Sequence, residues 1–181
     1  MQTTDDHTPD TQTTETQTTE TQPTGTHTVD GRPLVSTSLT PHLVVSPASE
    51  AIALYCAAFG ARAVSTTEMG GVIGHAELEL AAGRFTVSDP MPGYGLVAAE
   101  QGDHPVSMSL AVYVPDVDAA FATLTEAGST VREQPMTFVS GDRFASVVDP
   151  YGIRWAVMTR VEDLSPAESE RRVAEWAAQQ E

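Results

Sequence analysis

The chain carries one internal duplication that its letters almost conceal. Residues 46–61 follow the apolar run Leu43-Val44-Val45, and residues 115–129 follow Leu110-Ala111-Val112-Tyr113-Val114. Each stretch reads as a strand, an acidic helix start, an alanine-rich amphipathic helix and a glycine stop. Gly60 and Gly128 stand at matching places, and Glu50 and Asp118 share their offset. Two similar units of this size pack together as one pseudo-symmetric domain, with a ligand site where the halves meet.

The order within each unit is β-α-β-β-β. In the first unit, strands are predicted at about 40–46, 62–69, 73–80 and 84–89, with a helix at about 47–59. Gly60 caps that helix, Gly70-Gly71 marks a hairpin, and Ala76, Leu78 and Leu80 alternate with His75, Glu77 and Glu79. In the second unit, strands are predicted at 107–114, 129–136, about 142–148 and 153–160, with a helix at about 116–127. Asp89-Pro90-Met91-Pro92-Gly93-Tyr94-Gly95 opens a linker of about 15 residues between the units, long enough to cover a pocket. Ser165, Pro166 and Glu168 begin a last helix with a capping-box pattern.

Residues 1–36 read as a separate acidic tail rich in threonine and glutamine. Thr-Gln-Thr-Thr-Glu stands at 11–15 and again at 16–20. The tail has almost nothing apolar to bury, so disorder is expected. One domain is expected over 37–162, with modules at about 39–90 and 106–161, and the C-terminal helix over 163–181.

All nine basic residues are arginine, against 25 acids and a net charge of −16. Nucleic acid and anionic membrane both call for basic patches, so neither is expected as a partner. A cationic ligand is compatible with this charge. Cys56 is the only cysteine, which leaves no disulfide framework and no cysteine zinc cluster. No long apolar stretch or signal pattern is present, and the expected location is the cytoplasm.

Several segments together resemble one family. They are Thr40-Pro41-His42-Leu43-Val44-Val45, Tyr55-Cys56-Ala57-Ala58-Phe59-Gly60-Ala61, His75-Ala76-Glu77-Leu78, Val114-Pro115-Asp116-Val117-Asp118-Ala119, Gly141-Asp142-Arg143 and Asp149-Pro150-Tyr151-Gly152-Ile153-Arg154-Trp155. The chain resembles the vicinal oxygen chelate superfamily over about 39–172, and within it the PhnB-like branch. The superfamily includes glyoxalase I, bleomycin and fosfomycin resistance proteins and extradiol dioxygenases. The resemblance implies an α+β fold: two βαβββ modules of curled sheet forming a pseudo-symmetric cup, plus the C-terminal helix and the disordered tail.

It also implies metal ligands projecting into the cup from the first and last strands of the modules. His42 matches the first ligand position. Ser109, a poor ligand for zinc or iron, stands at the second. Ala156 stands where the family carries a glutamate, and Thr86 or Ser88 occupies the fourth place. A catalytic metal usually needs three protein ligands, so the standard site reads as dismantled. No cofactor is expected on this reading, with a divalent metal on His42, His75 and Glu77 as the alternative. The branch usually shows an aromatic residue at position 42 and often histidine at 153, where this chain has His42 and Ile153.

Strand phase turns His42, Ser109, Ala111, Tyr113, Arg154 and Met158 toward the cup, and Met108, Leu110, Val112, Trp155 and Val157 toward the helices. His42 is a candidate base or pocket group, or a hydrogen-bonded strand histidine. His75 and Glu77 share a strand face and could share a metal, a proton or only solvent. Arg143 and Arg154 are candidates for a ligand's carboxylate or phosphate, or for ion pairs with Asp142 or Asp149. Tyr94 could close over a ligand from the linker. The candidate ligand-binding set is therefore His42, His75, Glu77, Tyr94, Ser109, Tyr113, Arg143 and Arg154.

Three functions fit this reading. The first is a small-molecule-binding protein of the bleomycin-resistance type, sequestering a drug or metabolite within a homodimer. The second is a lyase, isomerase or dioxygenase using a His/Glu metal site or His42 as a metal-free base. The third is a partner-binding domain tethered by the tail. Fold alone does not choose among them.

Overall fold

The computed structural model describes residues 39–180, together with the backbone of Thr28–Val29 (β1) and Arg32–Pro33 (β2). The chain divides into two units, Met1–Val35 and Ser36–Glu181. In the first, β1 and β2 pair antiparallel, which the low-complexity reading of the tail did not include. The remainder of the expected disordered tail lies outside the described residues.

The second unit holds both modules. The first comprises β3 (His42–Val44), α1 (Ala48–Phe59), β4 (Arg62–Met69), β5 (Val72–Leu80) and β6 (Gly83–Ser88). The second comprises β7 (Ser109–Tyr113), α2 (Val117–Glu126), β8 (Thr130–Thr137), β9 (Asp142–Val148) and β10 (Arg154–Arg160), and α3 (Pro166–Ala178) follows. The sheets run β3-β6-β5-β4 and β7-β10-β9-β8. In each, the first and last strands of the module lie parallel and the other pairs antiparallel. The duplicated sequence order thus becomes two copies of one mixed sheet. No helix among the described residues is long and apolar enough to cross a membrane.

Local chemistry explains where the elements begin and end. Gly60 takes φ 67° and closes α1 in the left-handed region that a side chain resists. Pro47 offers no side-chain cap to α1, so the Asp89 carboxylate accepts from Ala48 N at 2.9 Å instead. At α2 the Thr159 hydroxyl accepts from Val117 N at 2.8 Å, and Asp116 accepts from Ala119 N. Each helix is therefore capped partly from the far end of its own module. Ser165 accepts from Glu168 N at 3.2 Å, as the capping pattern predicts. Met108 departs from expectation. Strand β7 begins one residue later, and Met108 is 56% exposed rather than covered by a helix.

The two modules share one core. Helix α1 buries Ala48, Ala51, Leu54, Tyr55, Ala58 and Phe59, while α2 buries Val117, Ala120 and Leu124. The rings of Tyr55, Phe59 and Phe85, from the first module, lie 5.3, 4.7 and 6.0 Å from Trp155 of the second. Aromatic contacts at these separations contribute about 0.5–1.5 kcal/mol each beyond simple burial. Asp149 sits beneath them. One carboxylate oxygen accepts from Tyr55 OH and Trp155 Nε1, both at 2.8 Å; the other accepts from the backbone N–H of Tyr151 and Ile153, both at 2.9 Å. Burial pushes the Asp149 carboxyl above its ordinary value, and these four donors pull against that rise.

Candidate functional site

Opposed residues in register share a face of a sheet. The helix-side faces carry Leu43, Ala76, Leu78, Phe85 and Val87 in the first module and Val112, Ala145, Val147, Trp155 and Val157 in the second, all buried. The opposite faces are open, and they hold most of the candidates.

On the first open face, His42 lies opposite Thr86, and Glu77 lies opposite the same Thr86 from the other side. His42 Nδ1 is 2.7 Å from Thr86 Oγ1 and Nε2 is 3.2 Å from Ser88 Oγ. A neutral ring satisfies this network. The Thr86 hydroxyl turns to Pro41 O at 3.4 Å, Nδ1–H donates to Thr86, and Nε2 accepts from Ser88. Burial, and then the neighbouring His75, push the His42 pKa below the usual histidine value, which favours that neutral form. The His75 ring stacks on His42 at 6.3 Å with a 9° interplanar angle. Glu77 is held by an ion pair to Arg84, which also binds Glu79 at 2.8 Å; Glu79 in turn pairs with Arg62.

On the second open face, Arg154 lies opposite Ser109. Arg154 donates from Nε to Ser146 Oγ at 3.2 Å and stands 3.6 Å from the Glu133 carboxylate. Tyr113 OH donates to Asp142 at 3.2 Å, and Arg160 pairs with the same carboxylate at 3.1 Å. Between these two polar ends lie Ala111, Ala156, Met158 and Phe144, which register opposite one another. The predicted ion-pair partners need correction. Arg143 makes a two-pronged contact with Asp118, both arms at 2.7 Å, and Arg154 pairs with Glu133. Asp142 and Asp149 are engaged elsewhere, because Arg160 and the Tyr55–Trp155 pair reach them first. Arg143 is thus tied to helix α2. Tyr94 sits on a short 3-10 turn and is 81% exposed.

The structure therefore gathers His42, His75 and Glu77 on one sheet, and Ser109, Tyr113 and Arg154 on the other. It sets Arg143 and Tyr94 apart. Sequence reading named Thr86 and Ser88 only as weak ligand positions and did not foresee that they occupy both ring nitrogens of His42. The parallel register of strands one and four would have placed Thr86 beside it.

The residues present do not fit the divalent metal that the resemblance implies. Ala156 has no donor atom, Ser109 is a weak one, and both His42 nitrogens are taken. Glu77 is held by Arg84, and among the described residues no three His, Cys, Asp or Glu side chains form a metal-holding group.

The described residues also line two concavities. One of about 370 Å³ lies under the linker, against β7 and the Asp149–Gly152 turn, with Arg154 at its edge. A second of about 350 Å³ is an apolar groove between the end of α1, the start of α2 and Leu80.

Comparison with known proteins bears on these features. A family model described as the Glyoxalase/Bleomycin resistance protein/Dioxygenase superfamily matches residues 34–157. The chain is 33% identical over 141 residues to the uncharacterized protein Rv0887c of Mycobacterium tuberculosis, covering 72% of this chain and 79% of that one. It is equally similar to Mb0911c of Mycobacterium bovis, covering 72% and 88%. Among solved structures, protein PA1353 from Pseudomonas aeruginosa aligns with a TM-score of 0.54 at 21% identity, covering 69% of this chain and 98% of that one. The PhnB protein from Bacillus cereus aligns at 0.53 and 21%, covering 68% and 99%. The fosfomycin resistance protein FosX from Listeria monocytogenes aligns at 0.50 and 12%, covering 68% and 90%. At such identities the structural likeness is one of fold. With the family match spanning both βαβββ modules, the chain belongs to the glyoxalase/bleomycin resistance protein/dioxygenase superfamily, the vicinal oxygen chelate proteins.

Proposed function

We propose that this protein is a metal-independent small-molecule binder, which sequesters a drug or metabolite on the open faces of its sheets. One observation carries the reading. The positions that supply metal donors in the superfamily hold Ser109 and Ala156, and the surviving His42 is locked between Thr86 and Ser88. What remains is a binding surface. Ala111, Ala156, Met158 and Phe144 offer an apolar floor, and Arg154, Ser109 and Tyr113 offer polar contacts at its ends. His42 and His75 offer flat imidazole faces from the first sheet.

A homodimer fits this reading, because both faces are open in one chain and a second copy would cover them. A cationic ligand suits the net charge of −16. The PhnB-like branch, a cytoplasmic location and a part in antibiotic resistance belong to the same proposal. The competing reading, His42 as a metal-free base, is favoured by its neutral ring but opposed by the loss of both nitrogens to neighbours.

Isothermal titration calorimetry with fosfomycin and a cationic glycopeptide of the bleomycin class tests the proposal, with mass spectrometry of the recovered compound. Saturable binding with the compound returned unchanged is expected. Conversion of the compound on turnover would move the assignment to the enzymes of the superfamily.

A further inference from the structure

We propose that linker residues 99–106 form a proton-operated strap over the cavity beside β7, with His104 as its clasp. The linker supplies one wall of that cavity through Ala99, Glu100, His104 and Val106, while Leu110 and Ile153 face it from the domain. The strap is tied down at four places, one of them Gln101 Nε2 donating to Ser46 O at 3.0 Å. Ala99 N donates to Val44 O at 3.0 Å. The Glu100 carbonyl lies against Gly152, where a Cβ would stand 2.2 Å from it, and Gly152 has φ +89°. Only glycine admits the strap so closely at that backbone angle. Farther along, Arg132 of β8 donates to His104 O at 2.8 Å and pairs with Asp103 at 2.5 Å.

Between these ties, the His104 ring folds the strap onto itself. Nε2 is 2.8 Å from Glu100 O, and Nδ1 is 3.0 Å from Pro105 O. Both partners are carbonyl oxygens, which only accept. A neutral imidazole has one N–H, so it serves one carbonyl and turns a lone pair toward the other. The imidazolium serves both. The charged groups around the ring are Glu100 and Asp103 of the linker, Arg132 of β8 and Arg154 of β10. The carbonyls of Pro105 and Glu100 raise the ring's affinity for its proton, and the Glu100 charge adds to this. Arg132 opposes, with its own charge shared by Asp103. Because the folded-state value is raised, the clasp is closed below the ordinary histidine pKa and released as pH climbs through the raised one. Release leaves the stretch between Ala99 and the Arg132 tie held by the exposed Gln101–Ser46 bond and the Gly152 contact alone. The cavity shares Arg154 with the second open face, but the clasp is made by His104 and two backbone carbonyls, so its test does not depend on the ligand-binding proposal.

Nuclear magnetic resonance on the full chain tests it. Backbone ¹⁵N relaxation of residues 100–102, between Ala99 and the Arg132 tie, is compared at about pH 5.5 and about pH 8, either side of the ordinary histidine value. The expected result is rigid amides at the lower pH, with order parameters of about 0.85, falling below about 0.6 at the higher pH. His104→Ala is expected to show the loose values at both. Equal order at both pH values in the wild type, or a pH step that survives in His104→Ala, would overturn the proposal. Should that variant fail to fold, the imidazole ¹⁵N shifts of wild-type His104 decide instead. A titration midpoint above the ordinary value supports the clasp, and one at or below it refutes the clasp.

Discussion

The two modules have the same strand order, the same parallel pairing of first and last strands and the same helix-side burial, yet they show different chemistry on their open faces. The first face is a lattice of polar side chains, running from His42, Thr86 and Ser88 to the Glu77–Arg84–Glu79–Arg62 chain of ion pairs. The second is apolar at Ala111, Ala156, Met158 and Phe144, with Ser146 and Glu133 in register beside Ala156 and further polar groups at its ends. The reason is physical. The helix-side residues must bury together around Trp155, so they remain apolar in both copies. The open faces carry no such burden and are free to diverge. Scaffold symmetry therefore says little about site symmetry.

The joint between the modules should respond most strongly. Trp155→Ala removes the ring that Tyr55, Phe59 and Phe85 pack around, and a loss of about 3–5 kcal/mol is expected in urea denaturation. Both sheets should melt in one transition; two separated transitions would show that the modules do not share a core. Asp149→Asn comes next. An amide cannot accept from all four donors, and leaving a buried donor unpaired costs about 1–3 kcal/mol. A change well under that range would mean that the four bonds contribute little to the joint.

A subtler substitution tests the contrast between faces. Ala156→Glu puts a carboxylate on the apolar floor without touching the core. Stability should change by about 1 kcal/mol or less. Calorimetric affinity for a bound ligand should fall about tenfold or more, a loss of at least about 1.4 kcal/mol. Unchanged affinity would move the binding surface off the second face. The smallest effect belongs to His42. Its folded-state pKa is lowered, so its contribution to stability is present above the ordinary histidine value and lost as pH falls through the lowered one. An imidazole titration midpoint below about 6.5 is expected for His42 by magnetic resonance. A midpoint above that would mean that the ring is charged, and the neutral network with Thr86 and Ser88 would not hold.

Much of the architecture was legible in the letters, because burial writes periodicity into a sequence. Arg62–Met69 and Asp142–Val148 match their predicted spans, and Gly60 and Ser165 cap as expected. The alternation in β5 assigned the faces correctly: Ala76 and Leu78 are buried, and His75 is exposed. The loss of donors at Ser109 and Ala156 was equally visible, since it needs only residue identity. What remained hidden depends on which side chain reaches which. Asp149 read as an ion-pair partner for an arginine, yet it binds Tyr55 across 94 positions of sequence. Asp142 and Asp149 were the partners offered to Arg143 and Arg154, but helix α2 brings Asp118 to Arg143. Nothing near His104 announced that its ring closes on the Glu100 and Pro105 carbonyls, because backbone acceptors leave no mark in composition.

The central claim is that ligand binding here needs no metal, and a chelator titration tests it most directly. Protein purified without chelator is titrated with fosfomycin and the glycopeptide, then titrated again after dialysis against excess EDTA and after addition of zinc or manganese. The account predicts that the affinity of whichever compound binds is the same in all three conditions. Binding that vanishes with EDTA and returns with the metal would contradict it.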